Sequence, residues 1–149
     1  MKRLHFWLAT GFFSGLSPIA PGTAGSLLTL VILWFLHLSF VSLLLLGLLC
    51  FFLGVWSSGE VAARMAQKDP QLIVIDEMAG MILALVAAPR SLVGYGLAFV
   101  LFRFFDIRKP FPVKLAEKAP SGWGIMLDDM AAGLYALLIL LVLRWVHVL

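Results

Sequence analysis

The sequence predicts an all-α protein, a polytopic membrane helix bundle of about five short transmembrane helices with an N-terminal interfacial helix, folded as one domain over residues 1–149. Three observations predict it. Of the residues, 62% are hydrophobic and 13% charged, with a mean hydropathy of +1.05, and a water-soluble domain of that composition lacks the polar groups to cover its surface. The apolar runs are continuous and rich in leucine, and in hydrocarbon only helices or closed barrels satisfy every backbone N–H and C=O. Prolines, glycines and short polar stretches then cut those runs into helix-length pieces.

The segment from Met1 to Phe13 carries Lys2, Arg3 and His5 ahead of Phe6, Trp7 and Leu8. Its apolar core is too short for a signal peptide and is broken by Gly11, Ser14 and Gly15, so an interfacial helix is predicted. The stretch from Leu16 to Ser26 is too rich in proline and glycine for a regular helix and too apolar for a solvated loop. Ordered backbone at the membrane surface, with N–H groups free for a ligand, is expected there. Ser26 to Trp56 would span about 46 Å as one straight helix, against a hydrocarbon core of about 30 Å. It must fold back at His37-Leu38-Ser39, which predicts helices over 26–38 and 40–66. The polar stretch 57–68 is expected to return to water. Asp69 and Pro70 match an N-cap and first helical residue, predicting a helix from there to Ala88. Further helices are predicted over 91–106 and from Ile125 to the C-terminus, separated by a basic loop, 108–118, and a turn, 120–124.

Net charge is +3, which in a membrane chain reflects cytoplasmic loop bias and anionic lipid and does not point to nucleic acid. With five spans, Arg90 and Arg144 fall on one side and the other basic residues fall on the opposite side, which is predicted to be cytoplasmic. Spans this short call for tilt, local thinning or oligomerisation. One cysteine, Cys50, lies inside an apolar run, so disulfides and cysteine metal clusters are excluded and a packing role is expected.

Chemistry is expected at the acids, because Asp76, Glu77, Asp106, Asp128 and Asp129 adjoin apolar helix. Ionisable groups at such depth cost several kcal/mol unless they serve an ion or a substrate. Ile75-Asp76-Glu77-Met78-Ala79 and Leu127-Asp128-Asp129-Met130-Ala131 echo each other, and each is followed by small residues that permit close helix approach. Two converging acidic pairs repel, and a hard divalent cation, typically magnesium, relieves that repulsion through oxygen ligands. Arg103 and Lys109 flank Asp106 and add fixed cations for phosphate oxygens, which completes the parts that phosphoryl transfer requires. Structural salt bridges are the plainer reading of the same residues, and a cation-coupled transporter or channel is the alternative of a different class. A transporter needs a path across, and nothing acidic continues past Gly80 or Gly133.

Other motifs carry less. His5, His37 and His147 lack ligand spacing. Pro120-Ser121-Gly122-Trp123 has tryptophan where a histidine-dependent lipid phosphatase would need histidine. Asp76-Glu77-Met78-Ala79 lacks the paired aspartates of haloacid dehalogenase-type phosphatases, and Cys50 has no nearby arginine. Trp7, Trp56 and Trp145 read as interfacial anchors, and Glu60 and Glu117 as solvated residues.

Four ordered motifs remain: Gly15-Leu16-Ser17-Pro18 with Pro21-Gly22-Thr23, Ile75-Asp76-Glu77 with Gly80, Phe102-Arg103 with Asp106 and Lys109-Pro110, and Gly124-Ile125-Met126 with Asp128-Asp129. Together they resemble the phosphatidylglycerophosphatase A family from about Gly11 to Gly133. The resemblance implies a magnesium-dependent, multi-pass enzyme of the bacterial inner membrane, active on its cytoplasmic side. It would hydrolyse the phospholipid phosphatidylglycerophosphate to phosphatidylglycerol and phosphate. It also implies Asp76, Glu77, Asp128 and Asp129 as magnesium ligands, with Arg103 and Lys109 on the phosphate. Gly22 and Thr23 would line the headgroup pocket. Asp76, Asp106 and Asp129 are the expected catalytic residues, Asp106 as a further ligand or as general acid or base.

Overall fold

Residues 2–149 are described by the computed structural model, and among them every regular element is helical. They form α1 (Lys2–Ala9), a 3-10 turn (Ser14–Leu16), α2 (Pro21–Leu36), α3 (Phe40–Met65), α4 (Ile75–Ala87), α5 (Leu92–Arg108), α6 (Val113–Ala116) and α7 (Gly122–Trp145). The all-α class is as predicted. Two helices, α3 and α7, are long and apolar enough to cross a membrane, and α2 is a shorter apolar helix. Five spans are therefore more than helix length alone supports, since α2, α4 and α5 have 16, 13 and 17 residues, below the roughly 20 of a simple span. Outward-facing Leu27 and Val31 on α2, Leu45, Leu48 and Phe52 on α3, and Leu138 and Leu141 on α7 are exposed. Such continuous apolar faces fit a membrane protein.

Local chemistry explains two of the helix starts. Ser39 caps α3, its hydroxyl accepting from the Ser42 N–H, and Ser91 caps α5 by accepting from the Gly94 N–H. Three boundaries depart from prediction. Pro21 does not break a helix but begins one, because its missing N–H and fixed φ suit the first helical position; the expected irregular backbone stops at Ala20. Asp69 does not cap α4, which starts at Ile75. There the Val74 N–H donates to the Ala9 carbonyl at 2.9 Å and the Ile73 N–H closes a turn onto the Pro70 carbonyl, so contact with α1 holds residues 70–74 out of helix. Last, α7 begins three residues early, at Gly122. The polar stretch expected in water stays helical to Met65, with Ser57 and Ser58 fully buried. His5 is also buried, its ring 4.2 Å from that of Trp56, so α1 is fastened to α3.

At the centre lies α4, packed against α7, α3, α2 and α5, with Ala79, Met81, Ala84 and Leu85 essentially inaccessible. Its crossing with α7 is backbone to backbone. A Cβ on Gly133 would lie 2.4 Å from the Gly80 carbonyl oxygen, and one on Gly80 would lie 2.6 Å from the Asp129 carbonyl oxygen. The two helices meet through small residues, as the sequence echo predicts. Gly133→Ala should therefore cost about 1–3 kcal/mol of stability, the usual penalty of overpacking. Unfolding in detergent measures it, and an unchanged transition would show that the crossing tolerates a side chain.

Candidate active site

The crossing of α4 and α7 sets the position of the acids. Asp76 and Glu77 sit in the first turn of α4, shallower than the predicted two turns because the helix starts late. Asp128 and Asp129 sit nearly two turns into α7, deeper than predicted because that helix starts early. The pairs are level because α4 and α7 cross at Gly80 and Gly133, each four residues past an acid. Single carboxylate oxygens of Asp76, Glu77 and Asp129 lie within 4.8 Å of one another. Asp76 and Asp129 are buried, and Glu77 Oε2 is buried with no hydrogen-bond partner among the described residues. Three convergent carboxylates with an orphaned acceptor fit a hard divalent cation, which takes oxygen ligands and offsets their repulsion.

Asp128 stands outside that trio. Its Oδ2 accepts from Lys109 Nζ at 2.6 Å, and its Oδ1 accepts from the Asp129 N–H. Lys109, the left-handed C-cap of α5, also lies 3.7 Å from Glu117, so Glu117 forms an ion pair and is not simply solvated. Burial alone would lower the pKa of the Lys109 ammonium, but the hydrogen bond and charge of Asp128, with Glu117 and Asp129, hold it above the ordinary lysine range.

From the last turns of α5 come Arg103 and Asp106. Arg103 Nη1 lies 2.6 Å from Asp106 Oδ2 and 3.9 Å from Glu77 Oε1. The close approach to Asp106 is an ion pair without an aligned hydrogen bond, because Nη1 and Nε both remain buried donors with no acceptor among the described residues. An arginine with unspent N–H groups beside a carboxylate trio has the donors that phosphate oxygens take.

These groups line a cavity of about 430 Å³ that Pro18, Pro21 and Gly22 close on the α2 side. Gly22 matters for its missing side chain, since a Cβ there would lie 1.9 Å from Glu77 Oε1. Thr23, the next residue, does not line the cavity. Two polar residues that the sequence reading passed over do line it, Asp69 and Gln71. Burial raises the pKa of the Asp69 carboxyl, against the pull of Lys109. Reading Asp69 as a helix cap hid it, because capping and site roles share one residue type. The histidines stay out of the cavity, and Trp123 packs edge-on against Phe51.

Comparison with known proteins bears on the choice between enzyme and transporter. The family profile described as phosphatidylglycerophosphatase A matches residues 7–144. The chain belongs to the phosphatidylglycerophosphatase A family. That makes it a phosphoric monoester hydrolase and removes the transporter reading. Similar proteins include a phosphatidylglycerophosphatase A of Haemophilus influenzae, 40% identical over 97% of this chain and 91% of the relative. One of Escherichia coli with the same name is 39% identical over 89% of this chain and 80% of the relative. A protein of Bacteroides thetaiotaomicron named putative phosphatidylinositol-3-phosphatase is 42% identical over 98% of this chain and 99% of the relative. No solved structure matches.

Proposed function

We propose that the protein is a magnesium-dependent phosphatidylglycerophosphate phosphatase of a bacterial inner membrane, multi-pass, with its site on the cytoplasmic side. One observation carries the reading. The carboxylates of Asp76, Glu77 and Asp129, within 4.8 Å of one another, face an arginine whose two buried N–H groups have no acceptor among the described residues. Asp76, Glu77 and Asp129 would hold the cation. Bound there, magnesium supplies positive charge that offsets the charge building on the phosphoryl oxygens.

The chain's own residues do the rest. Arg103 donates its free N–H groups to the phosphate, and Asp106 positions the guanidinium, a role that follows from its 2.6 Å approach to Nη1. Lys109, tied to Asp128 at 2.6 Å, holds a fixed ammonium in the cavity wall. Hydrolysis breaks the bond between phosphorus and the terminal glycerol oxygen. The oxygen of water ends on phosphorus, and a proton ends on glycerol. Family membership and the relatives' names support the substrate. The test is release of phosphate from phosphatidylglycerophosphate in mixed micelles with and without magnesium. No release, or release unaffected by chelation, would overturn the proposal.

Gly22→Ala tests the cation site from outside it. The atoms in the way are the far end of the Glu77 side chain, which can turn aside, so the fold should survive. The displaced carboxylate should weaken magnesium activation by about 10- to 100-fold, as when a ligand's support is lost. A magnesium titration of turnover reads it, and a wild-type curve would remove Glu77 from the ligand set.

Orientation follows from charge. Arg144 donates to the Ala87 carbonyl at 3.3 Å and Arg90 to the Trp34 carbonyl at 2.5 Å, at the ends of α4 and α2 away from the acids. Arg64, Lys68, Arg108, Lys114 and Lys118 crowd the acidic end, which is the cytoplasmic pattern. With Cys50 replaced by serine, Gln67→Cys and Lys118→Cys should resist an impermeant thiol reagent on intact spheroplasts. Labelling of either from outside would reverse the topology.

A further inference from the structure

The acidic cavity does not end at its own walls. A second cavity of about 520 Å³ adjoins it, and the two share Pro18, Pro21, Asp69 and Gln71. We propose that Asp69 and Gln71, on the seam between the cavities, form a subsite for the alcohol next to the cleaved phosphate and make the enzyme prefer hydroxyl-bearing headgroups.

This inference rests on the phosphatase reading above, and three observations extend that reading to the seam. First, the other charged side chains of the acidic cavity are paired with one another or assigned to the cation and the phosphate. Lys109 holds Asp128, Arg103 lies against Asp106 and Glu77, and Asp76 and Asp129 complete the trio with Glu77. Asp69 and Gln71 make no side-chain hydrogen bond among the described residues and line both cavities. Second, their backbone is held. The Ile73 N–H closes a turn onto the Pro70 carbonyl, and the Val74 N–H is tied to Ala9, so Gln71 sits inside a closed turn and Asp69 directly precedes it. Third, the seam chemistry differs from that of the phosphate site. The shared residues include no cation, which makes the seam a poor place for a second anion. A carboxylate that accepts and a carboxamide that both donates and accepts suit a neutral hydroxyl.

Geometry then orders the substrate. With the monoester phosphate among Arg103 and the acids, the bridging oxygen must lead to carbons that need room outside a cavity closed by Gly22 and Pro21. The adjoining space is within the size range of small-molecule sites, and Asp69 and Gln71 stand at its threshold.

The test compares phosphatidylglycerophosphate with an analogue in which propane-1,3-diol replaces the terminal glycerol, so that one hydroxyl is lost and both phosphates stay. Wild-type enzyme should favour the natural lipid in kcat/KM by about tenfold or more, as sites built to bond a hydroxyl do. Asp69→Ala and Gln71→Ala should each lower kcat/KM for the natural lipid and leave the analogue nearly unchanged, so that the preference falls toward one. Gln71→Ala removes an exposed side chain without hydrogen bonds and carries the test if Asp69→Ala fails to fold. An equal loss on both lipids, or no loss on either, would overturn the subsite. Wild-type enzyme that hydrolyses both equally would overturn it while leaving the phosphatase reading intact. Release of phosphate from neither lipid would sink both.

Discussion

Asp76→Asn and Asp129→Asn should each lower kcat/KM for phosphatidylglycerophosphate by about 100-fold or more while the protein stays folded, the scale seen when a preorganised electrostatic group is removed. Asparagine keeps the size and hydrogen bonding of aspartate but loses the charge that a magnesium site needs. The stability readout separates this from a structural role. Neither Asp76 nor Asp129 has a salt-bridge partner among the described residues, whereas Asp128 pairs with Lys109 and Asp106 with Arg103. Without metal the trio within 4.8 Å is a cluster of like charges, and removing one relieves repulsion. Each variant should therefore be at least as resistant to unfolding as wild type in metal-free detergent, and magnesium should stabilise it less. A structural pair would lose about 3–5 kcal/mol on losing one partner. Near wild-type turnover in either well-folded variant would sink the metal assignment.

The convergence of the acids was legible because it depends on a local pattern. Ile75-Asp76-Glu77-Met78-Ala79 and Leu127-Asp128-Asp129-Met130-Ala131 each place an acid four residues before a glycine, Gly80 or Gly133. Those glycines are where α4 and α7 touch backbone to backbone. A close parallel crossing four residues past the acids brings the acids together, so composition and spacing sufficed. The start of α4 was not legible. Asp69-Pro70 carries an ordinary N-terminal signal, but Ala9, sixty-five residues before Val74 in sequence, takes the Val74 N–H, and tertiary contact overrides local preference. The same limit hid the division of labour within the second acidic pair. Adjacent residues on a helix point in different directions, so Asp129 faces the trio while Asp128 meets Lys109 from α5. No short-range pattern announces a partner nineteen residues away.

That pairing yields the largest expected loss of stability. Lys109 Nζ lies 2.6 Å from Asp128 Oδ2, with the lysine side chain 28% exposed and the aspartate 6%. The aspartate is thus the member that cannot turn to water. Lys109→Met keeps much of the stem's packing and removes the ammonium, leaving Asp128 buried without its cation. The cost should approach the roughly 3–5 kcal/mol of a broken buried pair, falling toward the lower figure because the lysine is partly solvated. For a domain of this size each kcal/mol moves the midpoint by about 2–4 °C, so a thermal scan in detergent resolves it. Removing both charges, as in Lys109→Met with Asp128→Leu, should recover most of the loss, because an apolar pair leaves nothing unsolvated. The pH of the experiment follows from sign. Lys109 has its pKa raised in the fold, so its contribution is fully present below the unfolded value of about 10.4 and fades only as pH rises through the folded one. Measured near neutrality, the variant loses the whole contribution. Equal midpoints for wild type and Lys109→Met would show that Asp128 needs no cation where it lies, and would return it to the candidate ligands of the metal.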